Sequence, residues 1–118
     1  MSIRTALIVA TVAAAGAVSS AQAQVTYYGA TLTSAGEANP STGTGWTVLT
    51  YDAAAHTLRV QATFSNLQGT TTASHIHGLT ASPGVGNASV ATQLPSFVGF
   101  PLGVSAGSYD QTFNLTLS

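Results

Sequence analysis

Thr57-Leu58-Arg59-Val60-Gln61-Ala62-Thr63-Phe64 alternates polar and apolar residues without a break. Side chains of an extended chain point to opposite faces with a period of two. Leu58, Val60, Ala62 and Phe64 therefore share one face, and Thr57, Arg59, Gln61 and Thr63 share the other. This pattern predicts a strand with core on one side and water on the other. Outward from it, short runs of Val, Thr, Tyr, Phe and Leu lie between clusters of Gly, Ser, Asn and Pro, and no stretch sustains a helical period over three turns. On the N-terminal side, Val25 to Leu32 predicts a strand with Tyr28, Ala30 and Leu32 on one face. Ser34 to Gly43 reads as loop, Trp46 to Tyr51 as a second strand with Trp46 in the core, and Asp52-Ala53-Ala54-Ala55 as a turn. On the C-terminal side, Asn66 to Thr71 reads as a turn leading to a strand at His75-Ile76-His77. Ala81 to Asn87 is a loop and Ala88 to Leu94 a short strand. Pro95 to Gly107 is an irregular connection whose Phe97, Val98, Phe100 and Leu102 cover one end of the core. Finally Tyr109, Gln111, Phe113, Leu115 and Leu117 alternate with polar residues in a last strand. The reading is an all-β, antiparallel sandwich or barrel.

The first part of the chain reads as an export signal. Met1-Ser2-Ile3-Arg4 gives a basic start, Ala6 to Val18 an apolar run, and Ala21-Gln22-Ala23 a small-x-small cleavage pattern. This predicts a signal peptide over residues 1–23, a domain over 24–118, and a secreted or periplasmic protein. The apolar run falls short of the about 20 residues a spanning helix needs, so the mature chain is expected to carry no transmembrane segment. The chain has no cysteine, which excludes disulfides, thiolate nucleophiles and thiolate metal sites. Charged residues make up only 4% of the sequence, against about 25% in ordinary soluble domains. Beyond the signal these are Glu37, Asp52, Arg59 and Asp110. One basic side chain cannot neutralise a row of phosphates, which argues against nucleic acid as a partner. A nearly uncharged surface has little repulsion to keep copies apart, and suits a protein or extracellular-matrix partner, or self-association; the same composition fits an unspecialised secreted protein equally well.

Thr72-Ala73-Ser74-His75-Ile76-His77-Gly78 carries the chemistry. In a strand, His75 and His77 point to the same side and reach one partner together. Imidazole is the commonest metal-ligating side chain, so the pair is a candidate copper or zinc site, with His56 a candidate third ligand. The competing reading is two polar residues on a solvated strand face, with His56 a solvated hairpin residue. No Gly-x-Ser-x-Gly elbow is present, and Glu37, Asp52 and Asp110 are scattered, so neither a hydrolase triad nor a facing carboxylate pair is indicated. A non-enzymatic role is expected. Trp46 beside Tyr27 would bind carbohydrate if both were exposed.

Glu37-Ala38-Asn39-Pro40, Gly45, the strand ending Phe64-Ser65-Asn66-Leu67, and Thr71-Thr72-Ala73-Ser74-His75-Ile76-His77-Gly78 together resemble the CHRD domain, named after the extracellular protein chordin and widespread in exported bacterial proteins. Tyr109-Asp110-Gln111-Thr112-Phe113 fits the bacterial members, and the resemblance spans about Val25 to Ser118. It implies a β-sandwich of immunoglobulin-like or superoxide-dismutase-like type, an extracytoplasmic setting and a binding module with no settled activity. Family members usually continue to an Asn-x-His-Thr and a Gly-Gly-Glu-Ile-Arg-Gly element. Both are missing here, which implies C-terminal truncation and the loss of a histidine that would join His75 and His77. A second resemblance is carried by His-x-His after a Leu-x-Gly turn, which looks like the first copper-ligand pair of copper/zinc superoxide dismutases. Their further His and Asp ligands have no counterparts beyond His56 and the three carboxylates.

Overall fold

The computed structural model describes residues 24–35, 41–83 and 85–116. The expected signal peptide over 1–23, Glu37 and Leu117 lie outside them. The described residues form four strands, β1 (Val25–Leu32), β2 (Thr44–Asp52), β3 (Thr57–Ser65) and β4 (Gly107–Asn114), in one antiparallel sheet of order β1-β2-β3-β4. The all-β antiparallel class read from the sequence is thus observed.

Two local devices set the register. Between β2 and β3, Asp52 Oδ1 accepts from the amides of Ala54 at 3.0 Å and Ala55 at 2.9 Å, the side chain standing in for a backbone turn. His56 then closes the turn in the left-handed region, at φ 50°. At the other end, Asn66 has φ 60°; its Nδ2 donates to the carbonyl of Thr42, whose hydroxyl donates back to the carbonyl of Asn66, each at 3.1 Å. Gly45 lies opposite Phe64, and a Cβ there would collide with the carbonyl oxygen of Thr63. The close approach of β2 and β3 at this rung therefore requires glycine.

Alternation along the register gives the sheet an inner and an outer face. Leu49, Val60, Ala62, Tyr109 and Phe113 fall on the inner one. Its cover is the long connection between β3 and β4, which folds back on itself as an irregular hairpin. The two legs are held by Leu67 N to Ser105 O (3.1 Å), Thr71 N to Val104 O (2.9 Å), Phe97 N to Ser74 O (3.0 Å), Ala91 N to Ile76 O (2.8 Å) and Gly78 N to Ser89 O (2.8 Å). A bridge between Ser82 and Val85 marks the tip. The second layer of the sandwich-like fold is thus a sparse ladder lying against a regular sheet.

Phe97, from the return leg, is the centre of the contact between layers. Its ring lies 5.4 Å from that of Phe113 and 6.0 Å from that of Tyr109, within the aromatic contact range. The Tyr109 hydroxyl donates to the carbonyl of Val98 at 2.7 Å, tying β4 to the hairpin. Burial pushes the Tyr109 phenol pKa up. Phe100 stacks on Phe64 at 5.6 Å. Val98 and Leu102 do not join the core as expected. Both are exposed, because the hairpin is irregular and its alternation breaks around Gly99 and Gly103, both at φ 75°.

Candidate functional site

His75 and His77 sit on the outgoing leg of the hairpin. The expected strand there is reduced to a single bridge, His77 opposite Val90. Neighbouring bonds hold the peptide units on either side. The Ile76 amide donates to the Thr92 hydroxyl at 2.9 Å, and the Ile76 carbonyl accepts from Ala91. Ile76 packs against the core. The two imidazoles are neighbours, with ring centres 4.9 Å apart and planes tilted by 42°. Nδ1 of His77 lies 2.6 Å from the carbonyl of Ala88. A carbonyl only accepts, so Nδ1 carries the proton, and in the neutral ring Nε2 keeps its lone pair. Nδ1 of His75 is buried and has no hydrogen-bond partner among the described residues.

His56 is not brought to this pair. It occupies the turn at the end of the sheet where Thr57 opposes Asn114, and its carbonyl accepts from Leu115 N at 2.7 Å. Among the described residues, no three His, Cys, Asp or Glu side chains surround a common point.

His75 also borders an open apolar groove of about 520 Å³ beneath the inner face of β1 and β2. Ala30 and Leu32 line its β1 side, Leu49 and Val60 its floor, and Ile76 and Phe100 its hairpin side. The groove exists because the hairpin lies over β3 and β4 and stops short of β1. No composition signal marked these residues as a site, since the same alternation that makes a core face also makes this groove. The signal in the sequence is the apolar alternation that puts Tyr28, Ala30 and Leu32 on one face of β1, the face that borders the groove at Ala30 and Leu32.

Trp46 differs from expectation. It is 49% exposed and lies on the outer face, opposite Thr63 and Thr31. Its parity along β2 is the reverse of that of Leu49, which the alternation rule alone would have revealed. Tyr27 is on the same face but opposes Thr50, four positions along β2 from Trp46, so the two rings do not form one platform. The outer face also holds an ion pair that the sequence did not announce. Arg59 Nε and Nη2 donate to the two Asp110 oxygens at 2.7 and 2.5 Å, and Gln61 Nε2 donates to Oδ2 at 3.1 Å. The bond to Arg59 holds the Asp110 carboxyl below its ordinary pKa, and Asp110 raises that of Arg59.

Compared with known proteins, the chain matches the family model of the CHRD domain over residues 28–116. No curated protein and no solved structure matches it. The matched span runs from Tyr28 in β1 past the end of β4, and so includes all of the sheet but the first three residues of β1, with the histidine pair and the covering hairpin. The chain belongs to the CHRD domain family.

Proposed function

We propose that this protein is an exported, non-enzymatic binding module, and that its partner is an extended protein segment added as a further strand along β1. The carrying observation is the coincidence of two unfilled features. β1 is an edge strand, with β2 on one side and no paired strand on the other among the described residues. The apolar groove opens beneath that same edge. An edge offers backbone donors and acceptors in a row, and a pocket beneath it selects alternate side chains, which is the physics of recognition by strand addition. Because the groove is lined by apolar groups, the partner segment carries apolar residues at every second position and few charges. Membership of a family of protein-interaction modules supports a protein partner. Export is supported by the basic, apolar and small-x-small pattern of residues 1–23. No helix among the described residues is long and apolar enough to cross a membrane.

The test is a titration of the protein with a library of extended peptides of alternating apolar pattern, alongside sedimentation of the protein alone. Leu32→Lys, which puts a charge into the groove wall, is expected to weaken peptide binding at least tenfold while leaving the fold intact. If the protein dimerises and Leu32→Lys restores the monomer, the added strand comes from a second copy. A monomer that binds no peptide, and nothing from the extracellular fraction, overturns the reading.

A further inference from the structure

We propose that Nδ1 of His75 and Nε2 of His77 together hold one divalent copper or zinc ion at the rim of the groove. Three observations converge on this site, and none of them depends on peptide docking. The first is distance. With a metal–nitrogen bond of about 2.0–2.1 Å and a ring centre about 1.1 Å behind the nitrogen, each centre stands about 3.2 Å from the ion. Centres 4.9 Å apart then subtend about 100° at the metal, between the square-planar and tetrahedral angles.

The second is the bond from His77 Nδ1 to the carbonyl of Ala88. Metal-bound histidines usually donate their other ring N–H to a carbonyl or carboxylate, which fixes the tautomer and raises the basicity of the ligating nitrogen. Ala88 is placed to do this by the ladder that pairs Gly78 with Ser89 and Ile76 with Ala91. The third is the buried His75 Nδ1, without a partner among the described residues. An unsatisfied buried polar atom is costly, and a metal bond at that nitrogen removes the cost. Electrostatics do not oppose a cation here. The single Lys or Arg among the described residues is Arg59, on the outer face of the sheet and committed to Asp110. Two imidazoles leave coordination positions for water or for a donor from a partner.

Tag-free protein is titrated with zinc chloride while the histidine ring resonances are followed by NMR. The resonances of His75 and His77 are expected to shift together, saturating at one equivalent, with His56 unmoved. Calorimetry with copper(II) is expected to show one site, weakened at least tenfold by His75→Ala and by His77→Ala and unchanged by His56→Ala, which serves as the control. Equal zinc shifts at all three rings, or shifts that do not saturate near one equivalent, overturn the proposal. So does full copper affinity in a folded His75→Ala/His77→Ala variant. The NMR titration uses the unaltered chain, so its answer stands even if a substitution disturbs folding.

Discussion

The inner faces of β3 and β4 and of β1 and β2 belong to one sheet and follow one alternation, yet only the first pair makes a core. Val60 is 4% exposed and Tyr109 8%, whereas on β1 Tyr28 is 57% exposed and Leu32 37%. The residues of the two halves are of the same apolar kind. The difference lies in the reach of the hairpin over residues 66–106, which drops Phe97 onto Tyr109 and Phe113 and, among the described residues, leaves β1 uncovered. In this fold an apolar strand face becomes core or open surface according to what a separate, irregular segment covers.

The largest expected effect is at the point where the cover touches the sheet. Phe97→Ala removes the ring that joins the two layers and should cost about 3 kcal/mol, in the range of large-to-small core substitutions. Chemical denaturation would read this as a lower midpoint with an unchanged slope. A loss below about 1 kcal/mol would mean that the layers are held by the hairpin's own ladder and not by this contact. The matching change in the open half, Tyr28→Ser, should alter stability by no more than about 0.5 kcal/mol, because half of that side chain already meets water. A loss as large as that of Phe97→Ala would show that β1 is covered in solution and would erase the contrast.

The smallest effect is on the outer face. The lowered Asp110 carboxyl means that the native state binds fewer protons than the unfolded chain in the acid range. The contribution of the Arg59–Asp110 pair is therefore complete above the ordinary aspartate value of about 3.9 and is lost as pH falls through the lower native value. Both side chains are 48% exposed, so solvent and salt screen the pair and the effect is small. Comparing acid unfolding of the protein with that of Asp110→Asn should show a slightly shallower pH dependence in the variant. Identical curves would indicate that the pair contributes nothing in water.

Much of the sheet was legible because alternation is a local property. Val25 to Leu32 is observed with the limits read from the sequence, and Leu58, Val60, Ala62 and Phe64 share the inner face as expected. Trp46 lies on the outer face and not in the core, because parity along β2, not side-chain size, sets the side to which a strand residue points. The histidine pair was recognised from spacing, and the two rings are indeed neighbours. The peptide that carries them is a single bridge within an irregular hairpin, and not a sheet strand. The site's supporting atoms, the carbonyl of Ala88 and the buried nitrogen of His75, were invisible in the sequence. They arise from contacts between chain segments whose pairing no local pattern encodes.

The amino-acid order alone determined the extended, alternating runs of the four-stranded sheet, the apolar face of β1 and β3, and that two imidazoles stand one residue apart, because each of these is a matter of near neighbours and side-chain periodicity. Tertiary structure alone decided that the second layer is a hairpin folded from residues 66–106, that it buries β3 and β4 but not β1, and that His56 stays apart from His75 and His77. These outcomes depend on contacts such as that of Leu67 with Ser105, where residues distant in the chain compete for one surface and the cover is too narrow for the whole sheet.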